Sequence, residues 1–182
     1  QVSSDVEDGR EEAYVWQKTL GTALDQNDDI SFIVSAGDQT QHGDRANEWA
    51  GTLSPAALRS YAMATTVGNH DRKGETYPFY VNNPNEYHGT TPANVDENYW
   101  FRYGDVLFIV YNTQIFNVYD QYQFTLDAIA KNPDATWRVA VMHHDIYGTG
   151  HHAADNDNKL LAAIYSALID RFEIDVCLTG HE

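Results

Sequence analysis

Four positions in the chain carry side chains suited to binding a metal ion, each at the end of an apolar run or directly after a glycine. Asp38 follows Gly37, and Asn69 follows Gly68 and opens the run Asn69-His70-Asp71. His143 follows an apolar stretch ending at Met142, and His181 follows Gly180. A carboxylate has two oxygens and can bridge two cations, an amide offers a neutral oxygen, and an imidazole offers a nitrogen. Such a mixed oxygen and nitrogen set suits Fe, Zn or Mn better than Ca or Mg. Glycine lets the backbone turn sharply and come close to an ion or a phosphate. His70 with Asp71 adds an acid–base candidate, an imidazole that a carboxylate can orient. No nucleophilic side chain stands out. Cys177 is the only cysteine, which excludes an intrachain disulfide, and its apolar surroundings at 174–178 make it a buried small hydrophobe.

Each of these residues also has an ordinary reading. Asp38 can end a strand in an Asx-turn, Asn69 can be a turn residue, and His70 and Asp71 can form a surface pair. His143 and His144 are adjacent, so one of them aims at an ion, and the strand register favours His143. His144 is then a substrate contact or a solvated side chain. His151 and His152 lie in a loop and either meet a phosphate or face water, and His42 and His88 read as surface residues. Tyr77, Tyr80, Tyr87 and Trp100 either line a pocket or hold a long loop down. The run 155–158 alternates carboxylate and amide, but without the glycine and glutamate of a calcium loop it reads as the start of a helix.

The elements that must position these residues alternate in type. Apolar periodicity predicts helices over about 9–25, 44–53, 119–131 and 158–172, and a short helix begins after Ser54-Pro55. Buried strands are predicted at 30–34, 62–67, 137–142 and 174–178, and a hairpin joins 99–103 to 106–111 across Gly104-Asp105. Residues 71–98 form a long polar stretch with three prolines, a functional loop or an insertion. Alternating strands and helices imply an α/β fold in one domain over 1–182. Each of the four buried strands runs into one of the metal-binding residues, and open α/β sheets place their sites at the carboxyl ends of their strands.

In this order, Gly37-Asp38, Gly68-Asn69-His70-Asp71, Met142-His143 and Gly180-His181 resemble four of the five blocks of the calcineurin-like metallophosphoesterases. The segment 98–106 resembles the hairpin of their purple-acid-phosphatase-like branch. His143-His144-Asp145-Ile146-Tyr147 resembles that branch's His-x-Pro-x-Tyr segment without the proline. The resemblance spans nearly the whole chain and implies a mixed β-sheet sandwich flanked by helices, the four-layer αββα architecture. It implies two metal ions, with Asp38 bridging them, Asn69, His143 and His181 on the second, and Gln1 at or beside the first. A hydroxide between cations roughly 3.5–4 Å apart would attack phosphorus in line. His70 would protonate the leaving oxygen and Asp71 would orient His70, while His144, His152 and Tyr147 would be substrate contacts. The family's first block, Asp-x-His or Asp-x-Gln, has no counterpart unless Gln1 is its last residue, and the second His of GH-x-H would fall just past Glu182. The chain therefore reads as a catalytic domain truncated at both ends. Gln41 stands where the purple enzymes have their iron-binding tyrosine, so no tyrosinate charge-transfer colour is expected.

Composition narrows the partners. The formal net charge is −16 over 182 residues, which disfavours polyanions such as nucleic acid and anionic membranes but allows a small anion where bound cations reverse the field. No apolar run is long enough to cross a bilayer. Low cysteine content and strong acidity fit an exported or cell-surface bacterial protein. The expected activity is phosphoric ester hydrolysis, as a phosphatase or as a phosphodiesterase or nucleotidase. The competing reading is a degenerate, non-catalytic binding module of an exported or cell-surface protein, and a glycan-binding aromatic surface is a third.

Overall fold

The computed structural model describes residues 1–3, 8–89, 98–115, 117–148, 150–152 and 155–181. They form two compact units, residues 1–65 with 69–82 and residues 66–68 with 83–182.

The first unit begins with α1 (Asp8–Gln26), followed by β1 (Ile33–Ser35), α2 (Ala46–Leu53) and β2 (Met63–Thr65). β1 and β2 pair in parallel, with Ile33 opposite Met63 and Ser35 opposite Thr65. Both strands are shorter than their apolar runs suggested: pairing begins only at Ile33 opposite Met63, and β2 ends at Thr65, two residues before its apolar run does. Trp16 on α1 donates its indole N–H to Thr52 O at 2.9 Å, tying α1 to α2. Trp49 is fully buried, stacked on Tyr80 at 4.8 Å and edge-on to Tyr77 at 5.9 Å. The Tyr77 hydroxyl meets Thr65 Oγ1 at 2.6 Å. These aromatics of the long polar stretch are therefore packing that pins it to the unit, and the stretch forms two short 3-10 turns, Lys73–Glu75 and Tyr77–Phe79.

The second unit holds the sheet β3 (Tyr99–Tyr103), β4 (Val106–Tyr111), β5 (Trp137–Met142) and β6 (Val176–Leu178), in that order. β3 and β4 are the predicted antiparallel hairpin, whereas β4–β5 and β5–β6 are parallel. α3 (Val118–Ala130) and α4 (Asn156–Arg171) supply the helices. Leu107, Ile109 and Tyr111 of β4 and Ala140 and Met142 of β5 share a buried cluster with Phe124 of α3 and Leu161, Tyr165 and Leu168 of α4. Each large apolar side chain so buried contributes about 1.5–3 kcal/mol, enough to make the ends of β4 and β5 rigid anchors. β6 departs from the expected buried strand. Val176 is 47% and Leu178 38% exposed, because β6 is the outer strand and pairs only with β5. Cys177 is half-buried against the cluster, and burial pushes its thiol pKa up.

The fold is thus mixed α/β, with sheets flanked by helices, as the sequence implied. Among the described residues no helix is long and apolar enough to cross a membrane.

Candidate metal centre

The predicted site residues fall into two groups: Gln1, Asp38, Asn69, His70 and Asp71 in the first unit, and His143, His144, Tyr147, His152 and His181 in the second. Each group is held by its own unit.

In the first unit, the loop after β1 turns through Gly37 (φ 95°) and Asp38 (φ 55°), both left-handed. Asp tolerates this conformation better than most residues because its short side chain bonds locally. Asp38 Oδ1 accepts the His70 amide at 3.1 Å. Asp71 is fully buried, and its Oδ1 accepts the Thr40 amide at 2.9 Å and the Thr40 hydroxyl at 3.2 Å. His70 Nδ1 lies 2.9 Å from Gln41 O and 3.3 Å from Lys73 Nζ, and the ammonium itself donates to Gln41 O at 3.1 Å. A bare nitrogen facing a carbonyl oxygen at this distance would repel it, so Nδ1 carries the proton and donates. The Gln41 carbonyl fixes this ring, while Asp71 ties down the Thr40 segment.

Asn69 is half-buried beside His70. Gln1 is exposed and donates its amide to Gln41 Oε1. Gln1 and Asp38, with Glu11, Glu12 and Trp16, line a cavity of about 480 Å³. Its three carboxylates repel an anion unless cations offset them.

Tight backbone contact makes this arrangement possible. Gly43 donates its amide to His70 O at 3.0 Å, and a Cβ on Gly43 would fall 1.9 Å from Asp71 O. Only glycine allows the turn at 42–45 to lie against the Asp71 backbone. That turn is held in place by Glu48, fully buried, which accepts the His42 amide at 2.6 Å and meets His42 Nδ1 at 3.1 Å.

In the second unit, parallel pairing of β5 with β6 brings both strands' carboxyl ends to one edge. Gly180 donates to His143 O at 2.9 Å just beyond, and His181 takes the left-handed conformation (φ 71°). As a result His143 Nε2 and His181 Nδ1 lie 3.1 Å apart. Zn–N bonds are about 2.0–2.1 Å long, so nitrogens in neighbouring coordination positions sit about 3 Å apart. This spacing is that of a ring-to-ring hydrogen bond and is also close to that of two nitrogens sharing one cation. Among the described residues, no group of three or more His, Cys, Asp or Glu side chains is placed to hold a metal ion.

Two further rings adjoin this pair. His144 lies 4.6 Å from His181 and 5.4 Å from His143 between ring centroids, and His152 lies 4.6 Å from His181. Burial, followed by the neighbouring histidines His143, His181 and His152, lowers the His144 pKa to about 3, so its ring is neutral. His144 Nδ1 meets the Thr113 hydroxyl at 2.7 Å. His152 Nδ1 lies 2.9 Å from Asp155 Oδ2, and this contact holds the Asp155 carboxyl below its ordinary pKa. Asp155 is the N-cap residue of α4, as the sequence implied, yet its side chain makes no capping bond because it serves His152. Tyr147 is largely exposed and donates its hydroxyl to Ser166 Oγ on α4 at 2.9 Å.

Sequence reasoning missed Gln41, Lys73, Thr113 and Asp155 as positioning groups. Gln41 acts through a backbone carbonyl, which leaves no side-chain signal. Thr113 was open to discovery, since Asn112-Thr113 follows an apolar strand just as the predicted ligand His143 does.

A family model described as calcineurin-like phosphoesterase matches residues 4–182. No curated protein matches the chain.

Proposed function

The chain belongs to the calcineurin-like phosphoesterase family, and on that premise we propose that it hydrolyses small phosphoric esters with two bound metal ions and His70 as proton donor. The observation that carries this reading is the His143–His181 nitrogen pair, 3.1 Å apart at the ends of adjacent parallel strands. In a protein from a family of phosphoesterases that pair is best used to hold a cation. Asp38, Asn69 and Gln1 are the remaining ligand candidates, and the resemblance of the hairpin at 98–106 supports a reading within the purple-acid-phosphatase-like branch.

Bound cations would neutralise phosphoryl charge and acidify a water molecule. The chain's own residues do the rest. Nδ1–H of His70 is anchored on the Gln41 carbonyl, so its ring is held with Nε2 left to deliver a proton to the departing oxygen. That delivery offsets negative charge as the ester bond breaks. His144 and His152 beside the imidazole pair supply nitrogen groups for phosphate oxygens.

The test is turnover of an aryl phosphate and a bis-aryl phosphate with Mn, Zn or Fe, comparing wild type with His143→Ala. We expect the variant to lose more than 100-fold in kcat/KM and to hold less metal by mass spectrometry, since even groups that merely support a ligand are worth 10–100-fold. Absence of turnover with every metal, or equal rates in both proteins, would overturn the reading in favour of a binding module.

A further inference from the structure

We infer that Thr113 fixes His144 as a neutral Nε2–H hydrogen-bond donor, and that this donor engages a phosphate oxygen beside the His143–His181 pair. The second half of the inference rests on the phosphoesterase reading; the first half does not.

The assignment follows from counting protons. Thr113 is fully buried, two residues past the end of β4, and its hydroxyl oxygen has two neighbours among the described residues. One is the His144 amide, which donates to it at 3.4 Å. The other is His144 Nδ1, at 2.7 Å. If Nδ1 carried the proton, the hydroxyl oxygen would receive two N–H groups and its own hydrogen would be buried with no acceptor, which is costly. If the hydroxyl donates to Nδ1 instead, every group is satisfied. Nδ1 is then bare, and the neutral ring carries its one proton on Nε2.

His144 is 7% exposed, and its Nε2 has no hydrogen-bond partner among the described residues. His144 Nε2 is not among the buried atoms that lack a partner, so this N–H reaches solvent beside the His143–His181 pair and is placed to meet an anion. Its role differs from that of His70, whose Nδ1 is the protonated nitrogen. A fixed N–H at His144 cannot accept a proton at Nε2. It can only hold and orient an oxygen, which makes His144 a specificity group for tetrahedral oxyanions and Thr113 its positioning residue.

Two measurements on the Zn-loaded full chain test this. Long-range 1H–15N spectra of the ring nitrogens should show the Nε2–H tautomer of His144 in wild type and Thr113→Ser, and its loss or mixing in Thr113→Val. Titration with inorganic phosphate by calorimetry should show at least tenfold weaker binding for Thr113→Val and His144→Ala. Thr113→Ser should bind as wild type does, and His144→Gln, which keeps an N–H, should recover part of the loss. An Nδ1–H tautomer in wild type, or equal phosphate affinity in wild type and Thr113→Val, overturns the proposal. A protein that binds phosphate in the expected order but cleaves no ester supports this pair and sinks the hydrolase reading instead.

Discussion

The two units hold chemically similar groups in different ways. In the second, histidines stand at or just beyond the ends of strands anchored in an apolar cluster of Leu107, Ile109, Met142 and their neighbours. In the first, β1 and β2 are three residues each, and the work of positioning falls to loops. His70 is set by a carbonyl and an aspartate, Asp71 by Thr40, and the whole by the absence of a side chain at Gly43. The contrast extends to single protons. The carbonyl at Gln41 faces Nδ1 of His70 and favours a proton on that nitrogen, whereas the hydroxyl at Thr113 faces Nδ1 of His144 and favours a proton on the opposite one. On the roles proposed above, a loop carbonyl suits a ring that passes on a proton, and a buried hydroxyl suits one that only donates a hydrogen bond.

Three perturbations would break or sharpen this contrast. The largest effect is expected from His70→Asn. If His70 moves a proton, kcat for an alkyl phosphate with a poor leaving group should fall by about 10²–10⁴, while an ester with a good leaving group should lose far less. Equal losses for both esters would make His70 a structural residue like its neighbours.

Next comes Gly43→Ala. The added Cβ meets backbone atoms of Asp71 and Lys73 that cannot swing away, so the folded state should lose about 3 kcal/mol in denaturant melts. A variant as stable as wild type would show the loop-built unit to be more pliable than its contacts imply.

The smallest effect is in the second unit. His144 has a folded-state pKa of about 3, against an ordinary value of 6.5. Between these values the unfolded chain binds the extra proton and the folded one does not, so stability falls as pH drops through that window and is intact above it. Its share between pH 7 and 5, discounted for solvent screening, is on the order of 1 kcal/mol. The metal-free protein should lose that much more than His144→Gln over the same range, as followed by thermal melts. An identical slope in the two proteins would mean that His144 is not held neutral by its surroundings.

Much of the fold was legible because apolar runs write strands directly. β3, β4 and β5 begin and end where the pattern placed them, since each is flanked by turn residues or by polar positions such as His143. β6 was misjudged because an apolar run of five residues looks the same in the middle of a sheet as at its edge, and only the pairing order distinguishes the two. For the candidate site, the sequence singles out residues with distinctive side chains after glycines or strand ends, and the structure brings His143 together with His181 and sets Asp38 against the His70 amide. Gln41 could not be singled out, because any residue has a carbonyl. Gly43 was invisible for the same reason, since its importance lies in the Asp71 backbone 28 positions away in the numbering.

Asp38 and His181 both adopt backbone angles that an L-residue reaches at a cost of about 1–2 kcal/mol, least for Asp. Glycine at 181 would lift that penalty while deleting the imidazole, so, on the proposed ligand role of His181, heat tolerance and ion affinity would move in opposite directions. A directed-evolution campaign that selects only for thermal survival would drift toward discarding this histidine, and a metal-retention criterion alongside it would test that role.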